Sequence, residues 1–332
     1  MKILVTGATG FVGRHLVSRL KETGHHVKAL VRQGVQRSFA PSWLHDGTID
    51  VTLGDVTNVA DVKNAVRDID AVFHLAALLG KWQVPESEYH RVNVYGTQVL
   101  VHECLKSHVN HFVFLSTTGV MGRLKNIPAD IDHPCSPMSY YERSKYQAEL
   151  VVRDAISRKN FPATIIRSTH TYGVGDKDFV RLFRLIKRLK VFPLVGGGHN
   201  FFQPIYVEDV VRALITCMEK HESALGKSYI IAGSERVTFK EFLYLSANIM
   251  NTTVTTFDVP TRLAWMAAYG SETIGNIVGR DPLLTHSLVE FFTRNYLYDI
   301  EKIYEDTGFT PRIRIKAGLL DTIRWYEENG WL

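Results

Sequence analysis

Tyr141 and Lys145 stand four positions apart in Tyr141-Glu142-Arg143-Ser144-Lys145. On a helix that spacing puts the phenol and the ammonium on one face. A free tyrosine has a pKa of about 10, so proton exchange near pH 7 requires the phenolate to be stabilised by roughly 4 kcal/mol. A neighbouring ammonium and a bound cation both act in that direction. Ser116, Thr117 and Thr118 follow directly on the apolar run Phe112-Val113-Phe114-Leu115 and offer hydroxyls that could hold a reacting oxygen. Each of them, taken singly, reads equally well as a cap or turn residue. The Tyr-x-x-x-Lys pattern recurs at Tyr298-Asp299-Ile300-Glu301-Lys302, with no Ser/Thr-ended apolar run at the matching distance upstream. That second copy reads as structural.

A second group of residues is suited to a phosphate. Gly7, Gly10 and Gly13, in Thr6-Gly7-Ala8-Thr9-Gly10-Phe11-Val12-Gly13, follow the apolar run Ile3-Leu4-Val5. The spacing reads as a strand, a tight turn and a helix whose first N–H groups and dipole face an anion, as in dinucleotide sites. Such sites for NAD place an Asp or Glu about 20 residues after the turn, on the ribose 2′-hydroxyl. Residues 27–37 contain no acid and carry Arg32 and Arg37 instead. Guanidinium groups suit a 2′-phosphate, so NADP(H) is the expected cofactor, with Arg32 the stronger contact and NAD(H) the alternative. Two solvated arginines are the plain reading of the same residues. Asp55 and Ala76-Ala77 follow further apolar runs, where a carboxylate could accept from an adenine amino group and small residues allow close backbone approach.

These residues need a scaffold. Short apolar strands at 51–53, 70–76, 111–116 and 163–167 alternate with helices at 59–66, 88–107 and 140–157, which predicts a parallel sheet covered on both faces. Ligands of such sheets lie at the carboxyl ends of the strands, where the residues above fall. After Ser168 the pattern changes. Residues 205–218 and 228–232 read as a return to the main sheet, and the rest as a smaller, mostly helical cap. The predicted division is 1–168 plus about 203–232 for the dinucleotide-binding part, and 169–202 plus 233–332 for the cap. Residues 180–189 oppose Arg181, Arg184, Lys187 and Arg188 to Leu182, Leu185, Ile186 and Leu189, a solvated helix face with peripheral membrane contact as the alternative.

Composition bounds the function. The 332 residues are 45% hydrophobic and 22% charged with a formal charge of +5, which suits an anionic small-molecule ligand. Long Lys/Arg blocks are absent, which argues against a nucleic-acid partner. No apolar run reaches the about 18 residues of a membrane span, and the chain enters its first strand at once, which argues against a signal peptide. Cys104, Cys135 and Cys217 are scattered, so a reducing, cytoplasmic setting is expected. The histidines at 25, 26, 108 and 111 lack carboxylate or Cys partners at ligand spacing, so no metal is expected.

The chain as a whole resembles the extended short-chain dehydrogenases/reductases of the NAD-dependent epimerase/dehydratase superfamily. The matching stretches are 6–13, Gly54-Asp55, His74-Leu75-Ala76-Ala77, Asn93-Val94-Tyr95-Gly96-Thr97, 114–122, 141–145 and 165–175. Residues 263–285, with Gly279-Arg280-Asp281-Pro282, and the ending from Gly308-Phe309-Thr310-Pro311 to Trp325 resemble the branch of 3β-hydroxysteroid dehydrogenases and dihydroflavonol 4-reductases. The resemblance implies an α/β fold: a Rossmann-type doubly wound parallel sheet with a smaller, mostly helical C-terminal substrate-binding part.

It also implies roles. Tyr141 would be the acid/base, and Lys145 would bind the nicotinamide ribose and lower the tyrosine pKa. Thr117 would hold the substrate oxygen, with Ser116 the fallback. Thr9, Phe11 and Val12 would join the glycines on the cofactor, as would Val56 beside Asp55, Leu75 beside Ala76 and Ala77, and Ser168 and Thr169. Ser168 stands where the family usually has proline. Ser116, Thr118, Phe202 and Trp265 would face the substrate. Sugar-nucleotide members commonly carry an arginine three positions before the segment that is here Ile205-Tyr206-Val207-Glu208-Asp209, and Phe202 occupies that place. The expected activity is therefore hydride transfer between a nicotinamide cofactor and a bulky, largely apolar alcohol or ketone. The alternatives are a sugar-nucleotide epimerase or dehydratase and a non-catalytic cofactor sensor. The two long helices resemble a pair that builds a four-helix dimer interface in relatives, so a homodimer is expected.

Overall fold

A computed structural model of the chain describes residues 1–34, 41–44, 46–80 and 82–332. Seven strands form one parallel sheet. The first six are β1 (Lys2–Thr6), β2 (His26–Val31), β3 (Asp50–Leu53), β4 (Ala71–His74), β5 (His111–Thr117) and β6 (Ala163–Ser168). The seventh is Ser228–Ile231, and the spatial order is Ser228–Ile231, β6, β5, β4, β1, β2, β3. Strand order reverses between β1 and β4, which opens a crevice at their carboxyl ends.

Side chains alternate across the sheet, as the pleat requires. Ile3, Val5, Phe73, Val113 and Ile166 enter one buried cluster, and Leu4, Val72, Phe112, Phe114 and Ile165 enter the other. The first is covered by α1 (Phe11–Glu22) through Leu16, Val17 and Leu20. The second is covered by α2 (Val59–Ala65), by α4 (Gly96–Lys106) through Val99, Leu100 and Cys104, and by α5 (Tyr140–Lys159) through Ala148, Val152 and Ala155.

The helix predicted over 88–107 is not regular. It comprises α3 (Glu86–Tyr89), a π segment (His90–Tyr95) and α4. Asn93, inside the π segment, turns its side chain out of the helix to Leu78 and Ser144, and tertiary bonds of that kind accompany π-bulges at functional sites. The chain after β6 also differs from expectation. Ile205–Tyr206 does not join the main sheet: it pairs with Thr171–Tyr172, because the free edge of β6 is taken by Ser228–Ile231. The helix after it, Val207–Glu219, does pack on the main sheet through Val210, Val211 and Leu214. Phe179, Phe183, Phe202, Phe239, Phe242, Tyr172 and Tyr326 build a separate aromatic core with the C-terminal helices. No helix among the described residues is long and apolar enough to cross a membrane.

Candidate active site

The carboxyl ends of the strands border a cleft of about 1090 Å³. Its floor is the turn between β1 and α1. Gly7 has φ +73°, and a Cβ there would stand 2.6 Å from the Ala76 nitrogen; one on Gly13 would stand 2.1 Å from the Gly7 oxygen. Only glycine lets the three segments approach this closely. Helix α1 starts from extended Gly10 with no side-chain cap and no acid in its first turn, so its end is left to an anion. Small residues at Ala76 and Ala77 line the same floor. This donor set fits the diphosphate of a dinucleotide.

Two cations border the glycine turn. Arg14, in the first turn of α1, lines the cleft with its Nε 3.4 Å from the Gly10 oxygen. Lys177 lines it from the segment before the helix α6 (Phe179–Leu189), which is tied to α1 through His15 Nε2 and the Val174 oxygen at 2.8 Å. Burial lowers the Lys177 pKa, and the nearby Arg14 charge lowers it further. Arg32 lines the cleft at the end of β2, and Asp55 and Val56 line it after β3. The Asp55 carboxylate accepts from the Thr57 N–H at 2.9 Å and the Thr57 hydroxyl at 2.8 Å, fixing one oxygen.

At the other end of the cleft lie the groups suited to proton transfer. Tyr141 and Lys145 sit in the first two turns of α5, which opens with a Ser139/Glu142 capping box. Lys145 Nζ donates to the Leu115 carbonyl at 2.8 Å and stands 4.1 Å over the Phe114 ring. Burial brings its pKa down to about 7, against the pull of Glu149. Burial pushes the Tyr141 phenol well above its ordinary value, and the Glu142 and Asp178 charges push the same way. The expected lowering of the tyrosine pKa is therefore not built into the protein alone, since desolvation favours the neutral form of both groups.

Strand β5 runs to Thr117 and β6 to Ser168, and these two residues are register partners. The Thr117 hydroxyl accepts from the Gly119 N–H at 3.1 Å and keeps its proton for another acceptor. The Ser116 hydroxyl is buried on the cleft wall and has no partner among the described residues. Ser168, Thr169 and Thr118 also line the cleft.

A buried polar thread holds these strand ends together. His74 lies between the Thr6 hydroxyl at 2.7 Å and the Thr97 hydroxyl at 2.9 Å, and burial takes its pKa down to about 3. Asn93 bonds Leu78 on one side and Ser144 of α5 on the other. Arg167 of β6 pairs with Glu149 of α5 at 2.8 Å in the interior.

The structure brings most of the residues singled out from the sequence to one cleft. Gly7, Thr9, Gly10, Phe11, Val12, Gly13, Arg32, Asp55, Val56, Leu75, Ala76, Ala77, Ser116, Thr117, Thr118, Tyr141, Lys145, Ser168 and Thr169 all line it. Arg37 lies outside the described residues. Phe202 and Trp265 are not brought to the cleft. Phe202 is 1% exposed among Phe179, Phe239, Phe242 and Phe291, and Trp265 packs beside Val195, Ala264, Ala268 and Val289. Tyr298 of the second Tyr-x-x-x-Lys copy is buried behind the wall and bonded to the Thr118 hydroxyl, while Lys302 pairs with Asp306.

Arg14, Lys177, His170 and Tyr296 line the cleft without having been singled out from the sequence. Arg14 carried a signal: a cation in the first turn of a helix opposes the dipole unless an anion sits there. The other three come from distant segments with no local signature.

Comparison with known proteins agrees with this geometry. A 3-beta-hydroxysteroid dehydrogenase of Mycolicibacterium neoaurum is 28% identical, over 98% of this chain and 92% of its own length. An N-acetyl-alpha-D-glucosaminyl-diphospho-ditrans,octacis-undecaprenol 4-epimerase of Escherichia coli O157:H7 is 27% identical, over 97% and 94%. The crystal structure of a UDP-glucuronic acid 4-epimerase from Bacillus cereus in complex with NAD superposes with a TM-score of 0.80 at 23% identity, covering 99% of each chain. The model of the NAD dependent epimerase/dehydratase family matches residues 3–232, most of the chain, from within β1 to just past the strand Ser228–Ile231. By the glycine turn, the strand-end hydroxyls, the Tyr141/Lys145 helix and this match, the chain belongs to the NAD-dependent epimerase/dehydratase family.

Proposed function

We propose that this chain is an NAD(P)-dependent reductase or dehydrogenase of a bulky, largely apolar ketone or alcohol, with Tyr141 as proton donor and acceptor. The observation that carries the substrate class is the state of the cations. Among the described residues the cleft is lined by Arg14, Arg32, Lys145 and Lys177, at the glycine turn, at β2 and beneath Tyr141. The lining also includes Leu78, Leu79, His170 and Tyr296, together with Ser139, Glu142, Thr171 and Asp178. Burial holds His170 neutral, its pKa near 4, with the Arg294 charge adding to the effect. Arg294 itself is buried and committed to Glu142 and Glu290, each at 2.9 Å. Among the described residues Arg14 and Arg32 are the guanidinium groups on the cleft, and the Glu142 and Asp178 charges disfavour a nucleotide-sugar diphosphate near Tyr141, whereas Leu78, Leu79 and Tyr296 offer surface to an apolar ring or chain.

A nicotinamide cofactor bound in the cleft supplies or accepts the hydride. The protein's part is to hold the reacting oxygen at Thr117, with Ser116 as the second hydroxyl, and to pass a proton at the Tyr141 oxygen. In the protein alone Tyr141 is neutral at pH 7, the form that donates to a carbonyl oxygen. Arg32 supports a preference for NADP(H). The division into residues 1–168 plus 203–232 and 169–202 plus 233–332 remains our reading of the two parts. Three free cysteines fit a reducing, cytoplasmic setting. A groove of about 770 Å³ between α4 and α5, with exposed Tyr95 and Leu150, is our candidate for a homodimer contact.

The epimerase reading is favoured by the family and by the Escherichia coli relative. The two separate by absorbance at 340 nm, where reduced nicotinamide absorbs. A reductase consumes the free cofactor stoichiometrically with hydrophobic keto compounds. Turnover of a nucleotide sugar with no net absorbance change, and no activity on apolar ketones or alcohols, would decide for the epimerase.

A further inference from the structure

The helix Thr261–Val278 is apolar on both sides. Its inner side, Ala264, Ala268 and Gly275, is buried, with Val195 and Val289 beside the two alanines. On the outer side Leu263, Met266, Tyr269, Ile274 and Ile277 are 55–80% exposed, and Leu283 just beyond the helix is 97% exposed. A helix apolar all round is ordinarily covered on all sides, and a contiguous apolar surface marks an interaction site.

The charges say what covers it. Within the helix the charged residues are Arg262 and Glu272. Glu272 is committed to the next helix, accepting from the His286 N–H at 2.8 Å and pairing with the His286 ring at 2.6 Å. Between Arg262 at its start and Arg280 just past its end, the exposed face therefore carries no free charge, and both flanking arginines are exposed. The strand Thr255–Val259 leads into this helix and pairs with Val191–Val195; that ribbon exposes Val191 and Phe257, with exposed Arg188 and Lys190 immediately before it. A second copy of the helix would set arginine against arginine in either orientation, with exposed Asp258 and Asp281 the acids at hand against Arg188, Lys190, Arg262 and Arg280. Anionic headgroups would neutralise both ends at once.

We propose that this face docks on an anionic lipid bilayer. The helix lies in the plane of the interface, its apolar row among the outer acyl segments and its arginines at headgroup level. None of these residues lines the cleft, so the proposal stands apart from the reading of the substrate.

The test is co-sedimentation of the full chain with vesicles of phosphatidylcholine alone and of phosphatidylcholine mixed with phosphatidylglycerol. The wild type binds the mixed vesicles. A Met266→Asp/Ile277→Asp variant, altered only at solvent-facing positions, keeps its thermal transition and cofactor affinity but binds at least about tenfold more weakly. An Arg262→Gln/Arg280→Gln variant loses the difference between the two lipids. Failure of the wild type to sediment with mixed vesicles, or undiminished sedimentation of the aspartate variant, overturns the proposal. So does light scattering in which the aspartates split a dimer while the wild type ignores vesicles, which would assign the face to a second copy.

Discussion

At the residue scale, Tyr141 and Lys145 are both pushed toward their neutral forms by burial. Tyr141→Phe is expected to keep the fold and the cofactor affinity while kcat falls by at least about two orders of magnitude, the scale of general acid–base help. Tyr298→Phe removes a buried bond to Thr118 and should cost about 1 kcal/mol of stability in urea unfolding, with kcat retained. Exchanged phenotypes would show that the wrong tyrosine has been chosen. The two arginines that line the cleft, Arg14 and Arg32, can be separated in the same way. Arg32→Gln should weaken NADP(H) by about tenfold or more and leave NAD(H) unchanged, whereas Arg14→Gln should weaken both alike; fluorescence titration of each cofactor reads the difference. Tyr141 and Lys145 could be placed together from the sequence because their spacing within one helix fixes the face they share. Phe202 and Trp265 were misread because an apolar side chain carries the same letter in a core as in a substrate pocket. Only tertiary packing separates the two.

At the element scale, the site depends on strand ends meeting in register. Thr117 opposite Ser168, and Thr6 joined through His74 to Thr97, hold the cleft wall as one unit. The buried imidazoles have a pH signature. His74 is pushed down to about 3, and His111 and His170 to about 4, so the unfolded chain takes up protons that the folded one refuses. Stability from these groups is present above pH 6.5 and is lost as pH falls from there toward 4. For His74 alone the loss at pH 5 is on the order of 2 kcal/mol. Asp176, raised to about 7 by burial, and Glu208, also raised by burial, act with the opposite sign, while His15 and His25, lowered by burial, join the three histidines. Urea midpoints should therefore fall between pH 6.5 and 5, and a flat or rising profile would contradict the assignment of neutral buried imidazoles. The alternation of strands and helices was legible from apolar periodicity, and β1, β3, β4, β5, β6 and Ser228–Ile231 lie within two residues of their predicted bounds. The π segment was not, because it follows from bonds of Asn93 to Leu78 and Ser144, which the sequence of that helix does not contain.

At the scale of the whole molecule, the α4/α5 groove and the helix Thr261–Val278 lie outside the cleft and carry exposed apolar side chains. If the groove joins two copies, Leu150→Arg should convert a dimer to a monomer in light scattering without unfolding it; a monomeric wild type, or an unchanged mass, would remove that reading. The central claim is net hydride transfer to an apolar carbonyl compound, with the proton passed at Tyr141. The most direct measurement uses NADPH carrying deuterium at the transferred position of C4, an apolar ketone, and mass spectrometry of the released product. The account predicts one deuterium on the carbinol carbon for each cofactor oxidised, and loss of that product in Tyr141→Phe. Recovery of the cofactor fully reduced, with deuterium absent from every alcohol while a nucleotide sugar is interconverted, would contradict it.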